Sequence, residues 1–289
     1  MSDRREIIDY SIDPVFAPSA LIMPQEEDGP LDTEKAFVSP LAHMGKVSRK
    51  PHVAAIILAG GYGHRFGRDT GKQLVKIVGC PMLSWSIAAF DAVDDVGLIV
   101  VVCPEDRMQE YWAQAVDPYS FATPIAMAVA GDTRQESAFN GLEATPSEYE
   151  FVALHDGARP LIAPELISHT INMLKGTIDA EGAIVATPAI DTLKVVSSDN
   201  VIVGTPDRKA FWNAQTPQVF RSNIYRRAHA SALRDGFIGT DDSALIERLG
   251  GKVLVVKGTR DNIKLTVPED YAVLSAVVEK SSRSKHEGE

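Results

Sequence analysis

Val53-Ala54-Ala55-Ile56-Ile57-Leu58-Ala59-Gly60-Gly61-Tyr62-Gly63-His64-Arg65-Phe66-Gly67, with Lys72-Gln73 just beyond it, decides the fold of this chain. The apolar run from Val53 to Leu58 reads as a buried strand, and the glycines fall where the strands of an α/β sheet end and ligands bind. Glycine at that point lets backbone N–H groups come close to a phosphate. Arg65 and Lys72 add two cations beside those amides, as the oxygens of a triphosphate require. The loop reads as a triphosphate cradle; standing alone it could equally be a glycine-rich turn with a solvated arginine and lysine.

Two better-known phosphate motifs come close and fail. A dinucleotide fingerprint needs a further glycine where Phe66 stands, and no acidic residue follows an obvious second strand about 20 residues on. A P-loop needs a longer spacer than Arg68-Asp69-Thr70 between Gly67 and Gly71, and Gln73 occupies the place of the magnesium-binding Ser or Thr.

Outward from this stretch, short β-branched runs alternate with helical patterns. Val53–Leu58, Gly97–Cys103, Ile125–Ala130, Glu150–His155, Gly182–Thr187 and Lys252–Val256 read as strands. Pro81–Ala92, Glu105–Ala115, Arg134–Ala144, Pro164–Leu174, Ser222–Asp235, Asp241–Leu249 and Pro268–Glu279 read as helices. The alternation predicts an α/β fold with a largely parallel sheet covered on both faces. Thr192–Val196 and Val201–Gly204, around the turn-rich Ser197-Ser198-Asp199-Asn200, break the pattern and read as a hairpin forming a projecting arm that needs a partner.

At 289 residues, 45% hydrophobic and 24% charged, the chain can bury one sizeable core. A net charge of −10 argues against a general nucleic-acid or anionic-membrane surface, so anionic substrates must be met by local cationic clusters. Cys80 and Cys103, the two cysteines, form no C-x-x-C pair; they fit a reducing compartment and supply no zinc or disulfide framework. No apolar run is long enough to span a bilayer, and Asp9, Ser11 and Asp13 interrupt any signal-like stretch, so a cytoplasmic location is expected. Residues 1–50, rich in proline and acidic residues, are expected to be a flexible extension. The domain would occupy 51–282, with its arm at about 188–210, and 283–289 would form a polar tail.

Four further clusters fall at strand ends or loops. In Gly131-Asp132-Thr133-Arg134-Gln135-Glu136-Ser137, Asp132 can cap the following helix with Gln135 as the reciprocal partner, or Ser137 and the Gly131 amide can read a nucleobase edge. In His155-Asp156-Gly157-Ala158-Arg159-Pro160, Asp156 can face a magnesium-bridged triphosphate, or simply turn the chain, and Arg159 suits a second phosphate. His155 lies within the strand pattern and is expected to be packed and hydrogen-bonded rather than a base. Asp191-Thr192-Leu193-Lys194, Asp207-Arg208 and Gln215-Thr216-Pro217-Gln218 could together grip a terminal phosphate, although each alone has an ordinary surface reading. Asp261-Asn262-Ile263-Lys264-Leu265-Thr266 carries Lys264 on an extended stretch, as a site cation or a solvated lysine.

In this order and spacing the clusters resemble the 2-C-methyl-D-erythritol 4-phosphate cytidylyltransferase family of the non-mevalonate isoprenoid pathway, from about Ala54 to Val278. The resemblance implies a Rossmann-like, mostly parallel twisted sheet of the nucleotidyltransferase (glycosyltransferase-A-like) kind. It also implies transfer of CMP from CTP to methylerythritol phosphate, with Mg2+ or another divalent cation. By this likeness Arg65, Lys72 and Lys264 would be catalytic cations, and Ala59, Gly60, Gly61, Gly131, Asp132 and Ser137 would bind the nucleotide. Asp156 would bind the metal, and Arg159, Thr192, Arg208 and Thr216 would surround the sugar phosphate. Thr192 and Arg208 would reach in from a partner's arm, implying a homodimer. The chain departs from the family in having Gly71, where proline is common, and His64. A ribitol 5-phosphate cytidylyltransferase and an inactive nucleotide-binding regulator are the alternatives; retention of both Arg65 and Lys72 speaks against the latter.

Overall fold

The computed structural model describes residues 52–61 and 71–286, with side chains through 278. The expected extension at residues 1–50, and Arg65 with the rest of the loop from 62 to 70, lie outside the described residues. In chain order the strands are β1 (Val53–Leu58), β2 (Lys76–Ile77), β3 (Cys80–Pro81), β4 (Val96–Cys103), β5 (Ile125–Val129), β6 (Phe151–Asp156), β7 (Gly182–Pro188), β8 (Val195–Val196), β9 (Ile202–Gly204), β10 (Trp212–Arg221) and β11 (Val253–Lys257). The helices are α1 (Met82–Asp91), α2 (Met108–Ala115), α3 (Arg134–Glu143), α4 (Pro164–Lys175), α5 (Ser222–Asp235), α6 (Ser243–Arg248) and α7 (Pro268–His286).

Seven strands form one sheet in the order β11-β7-β10-β6-β1-β4-β5. β1 is parallel to both β4 and β6, β5 extends the parallel set, and β7 and β11 are parallel to each other. β10 alone runs antiparallel, between β6 and β7. This mostly parallel twisted sheet agrees with the alternation read from the sequence. β1 and β6 are buried along their whole length because helices cover both faces. Val53, Ala55 and Ile57 face α1, α2 and α4, while Ile56 and Leu58 face α3, α5 and α6. A smaller apolar cluster joins Leu274 and Val278 of α7 to Ile77, Met82 and Trp85.

The chain steps from β1 outward to β4 and β5, then returns to place β6 on the other side of β1. That reversal opens a crevice beyond the carboxyl ends of β1 and β6, where ligands of open α/β sheets bind. The hairpin of β8 and β9 projects from this sheet as expected, pairing Val195 with Gly204 and Val196 with Ile202.

Several local readings are corrected. β10, ten residues long, is absent from the strands read from the sequence; its Pro217 lacks the N–H that a ladder needs, and the pairing with β7 shifts register between Ala214 and Gln218, around that residue. Glu105–Arg107 is a separate short 3-10 turn leading into α2, and α6 begins at Ser243 rather than Asp241. The cap of α3 is Thr133, not Asp132: its hydroxyl accepts from the Glu136 amide, and the Glu136 carboxylate accepts from the Asp132 amide. The reciprocal cap is real but sits one residue further along. Among the described residues no helix is long and apolar enough to cross a membrane.

Candidate active site

The glycine turn after β1 closes against the end of β5. A Cβ on Gly60 would lie 2.4 Å from the Ala130 Cβ, so no larger residue allows this approach. Ala59 is fixed by its amide, which donates to the Val102 carbonyl at 2.7 Å. Directly beside Gly60, Ser137 accepts from the Gly131 amide at 3.1 Å and reaches the Thr133 carbonyl at 2.9 Å, so it shapes the turn that carries Asp132. Ala59, Gly60, Gly61, Gly131, Asp132 and Ser137, expected at the nucleotide, thus frame one end of the sheet, with Asp132 exposed.

Asp156 ends β6 at the floor of the crevice. Lys264 Nζ lies 2.8 Å from its Oδ2, Arg134 Nε 3.4 Å from its Oδ1 and Arg159 Nε 3.6 Å from its Oδ2. Burial alone would push the Asp156 carboxyl upward, but Lys264, Arg134 and Arg159 outweigh it and hold the group well below the usual carboxylate range. It is therefore a permanent anion among three cations. Arg134 in turn binds Asp242 at 2.7 Å, and Tyr225 donates to the other oxygen of Asp242 at 2.6 Å. Burial opposes the charge of Arg134, yet Asp242 and Asp156 together raise its affinity for the proton.

Lys72 reaches the same segment that carries Lys264. Its Nζ donates to the Leu265 carbonyl at 3.0 Å, next to Lys264, so two of the three expected catalytic cations meet at one short segment. Gly71 makes the bend before it at φ +58°, a conformation closed to proline, and a Cβ there would strike Arg107 and Tyr111. The Tyr111 hydroxyl lies 3.2 Å from Gln73 Oε1 and 3.3 Å from the Ala59 carbonyl, tying the lysine turn to the glycine turn.

Thr216 and Arg159 also belong to this cluster. The Thr216 hydroxyl accepts from the Asp156 amide at 3.0 Å, and Arg159 Nη1 donates to the Asn262 carbonyl at 2.7 Å. Thr192 and Arg208 are instead exposed on the arm, where Arg208 donates to the Ile190 carbonyl. His155 is fully buried, as expected. No group of three or more His, Cys, Asp or Glu side chains capable of holding a metal gathers among the described residues. One hard, permanently ionised oxygen pair nevertheless fits a magnesium ion that draws its remaining ligands from phosphate and water.

Arg134, Asn262, Asp242 and Tyr111 take part in the site's support but had no assigned role. Arg134 and Asn262 lay inside motifs already singled out, so a signal for them existed; Asp242 and Tyr111 carried none, because their partners are distant in sequence.

A glycine turn, a cation wall and a lone carboxylate at the switch point of a mostly parallel sheet define a nucleotidyltransferase-type α/β protein. The family model for 2-C-methyl-D-erythritol 4-phosphate cytidylyltransferase matches residues 53–280. A protein of that name from Caldanaerobacter subterraneus is 39% identical over 229 residues, covering 79% of this chain and all of its own length. Another from Syntrophotalea carbinolica is 41% identical over 228 residues, covering 78% of this chain and 96% of its own. The crystal structure of a 4-diphosphocytidyl-2C-methyl-D-erythritol synthase from Anaerococcus prevotii superposes with a TM-score of 0.70 at 30% identity, covering 78% of this chain and 96% of that one. The chain belongs to the 2-C-methyl-D-erythritol 4-phosphate cytidylyltransferase family.

Proposed function

We propose that this enzyme transfers CMP from CTP to 2-C-methyl-D-erythritol 4-phosphate, giving 4-diphosphocytidyl-2-C-methyl-D-erythritol and pyrophosphate in isoprenoid precursor synthesis. The observation that carries the reading is the Asp156 cluster: one carboxylate and three cations at the mouth of β1 and β6. Such a set suits a reaction between two phosphates, in which negative charge must be neutralised and the reactants aligned.

The roles follow from the chemistry of each group. Gly131, Asp132 and Ser137 receive the cytosine base, while Ala59, Gly60 and Gly61 bring backbone to the nucleotide. Lys72 and Lys264, with Arg65 of the glycine loop, stabilise charge developing at the α-phosphorus. The methylerythritol phosphate oxygen attacks in line and pyrophosphate leaves; a phosphate nucleophile is already anionic, so no general base is needed. Asp156 would hold magnesium, which when bound would supply charge neutralisation to the triphosphate. Arg159 and Thr216 face the sugar phosphate.

Thr192 and Arg208 complete the pocket of a second copy of the chain. The arm supports this reading, because Val201, Ile202 and Val203 are 58%, 59% and 64% exposed, more apolar surface than a lone hairpin keeps in water. A cytoplasmic location accords with two cysteines that are both buried as thiols. The test is an assay of pyrophosphate release and product mass with CTP and either methylerythritol phosphate or ribitol 5-phosphate. Turnover of the first is expected; exclusive turnover of the second would replace the acceptor, and turnover of neither would overturn the reading.

A further inference from the structure

His155 takes no part in the chemistry proposed above, yet it is completely buried directly beside Asp156. Its Nδ1 lies 3.0 Å from Thr216 Oγ1 and its Nε2 lies 3.1 Å from the Arg159 carbonyl oxygen. A carbonyl can only accept, so Nε2 carries the ring proton. The ring is completely buried with a backbone carbonyl and a hydroxyl as its two hydrogen-bond partners, an environment that does not compensate a charge, so it is neutral and has a single N–H. Nδ1 is therefore bare, and the Thr216 hydroxyl must donate to it. The same hydroxyl already accepts from the Asp156 amide at 3.0 Å. One proton and one lone pair of Thr216 are thus used, and a single lone pair is left.

The loop of bonds closes on itself. Arg159 Nη1 donates to the Asn262 carbonyl at 2.7 Å, and Asn262 Nδ2 donates to the Thr216 carbonyl at 2.9 Å. His155, Arg159, Asn262 and Thr216 therefore form a ring that joins β6, β10 and the segment bearing Lys264. In this ring the Arg159 and Asn262 nitrogens can only donate and the backbone carbonyls can only accept, so the Thr216–His155 bond is the one whose direction the tautomer sets.

We propose that His155 is a positioning residue for the polyol half of the reaction, holding Thr216 as a hydrogen-bond acceptor and Arg159 in place. Thr216 then meets a hydroxyl of the polyol rather than a phosphate oxygen, which would need a donor; the phosphate falls to Arg159. This rests on the reading that Thr216 and Arg159 face the sugar phosphate. It extends that reading by naming the group that Thr216 recognises and the residue that sets its direction.

Two amide substitutions separate the two bonds of the ring. His155→Asn places a carbonyl oxygen near Nδ1 and keeps an acceptor for Thr216, whereas His155→Gln reaches the Arg159 carbonyl and loses that acceptor. In the full-length enzyme, His155→Gln is expected to raise KM for methylerythritol phosphate about tenfold with KM for CTP within about twofold, a split expected of a bond that orients one substrate. His155→Asn should restore KM to within a few-fold. Equal behaviour of the two variants, or KM for both substrates rising together, would overturn the proposal. Thr216→Val separates the layers. If it raises KM for the polyol phosphate while His155→Gln does not, the role of His155 alone falls; if neither does, the contact assigned to Thr216 falls with it. Nitrogen-15 NMR of wild-type imidazoles gives a reading independent of any variant: His155 should show a protonated Nε2 and a bare Nδ1, and the opposite tautomer would refute the proposal.

Discussion

Lys264 reaches across 108 positions of sequence to place its Nζ 2.8 Å from the Asp156 carboxylate. The cation proposed to stabilise the α-phosphate and the carboxylate proposed to hold the metal are thus an ion pair in this structure.

Magnesium should be required for turnover, because the ionised Asp156 would repel a triphosphate unless a cation lies between them. Titration with EDTA should abolish pyrophosphate release, and manganese or cobalt should restore it. Full activity in a metal-free buffer would contradict the role given to Asp156.

Lys72→Ala should lower kcat by about two orders of magnitude while CTP still binds, since a cation aimed at developing charge acts mainly in the transition state. Arg65→Ala should behave likewise. Steady-state rates alongside CTP titration would check both; turnover within a few-fold of wild type would remove the residue from the catalytic set.

Arg134 is a test of stability. Asp242 is 1% exposed, and its guanidinium partner is one-third exposed. Arg134→Leu should cost on the order of 2–3 kcal/mol, less than the ~3–5 of a fully buried pair because water reaches the arginine. Urea unfolding would measure it; no change in the midpoint would mean that Tyr225 alone satisfies Asp242.

His229, buried on α5 between Phe139 and Tyr225, is pushed down to about 4 by its burial, with Asp242 opposing. A folded value below the unfolded ~6.5 means that the unfolded chain binds the extra proton. Its stabilising contribution is complete above pH ~6.5 and is lost as pH falls toward 4. Unfolding free energy measured across that window should fall less steeply in His229→Gln than in wild type. Parallel curves would show that His229 does not titrate on unfolding.

Much of the fold was legible because local pattern and tertiary demand agree. β1 runs from Val53 to Leu58 and α5 from Ser222 to Asp235, the same residues that the apolar run and the helical period mark out. β10 was hidden because Pro217 speaks locally against a strand, and the bordering strands β6 and β7 override it. The cap of α3 moved from Asp132 to Thr133 because two adjacent residues are both good caps, and local sequence does not rank them. The site residues stand at strand ends, where pattern finds them. The ring of cations around Asp156 was not legible: Arg134 and Lys264 arrive from separate elements, and only the sheet order brings them to one carboxylate.

The arm links the account to assembly. If Arg208 serves the partner's pocket, mixing Arg208→Ala with Lys72→Ala under conditions that exchange subunits should restore about a quarter of wild-type activity, because half the dimers are mixed and each has one intact site. No recovery despite demonstrated exchange would mean that Arg208 serves its own chain's site or none.

The central claim, cytidylyl transfer at the Asp156 crevice, is tested most directly by following label in a single turnover. CTP labelled at the α-phosphate should deliver that label to the methylerythritol product, and CTP labelled at the γ-phosphate should deliver it to pyrophosphate. Lys264→Ala should slow both by about two orders of magnitude. Label released as free CMP, γ-label on the polyol, or an unchanged rate in Lys264→Ala would contradict the account.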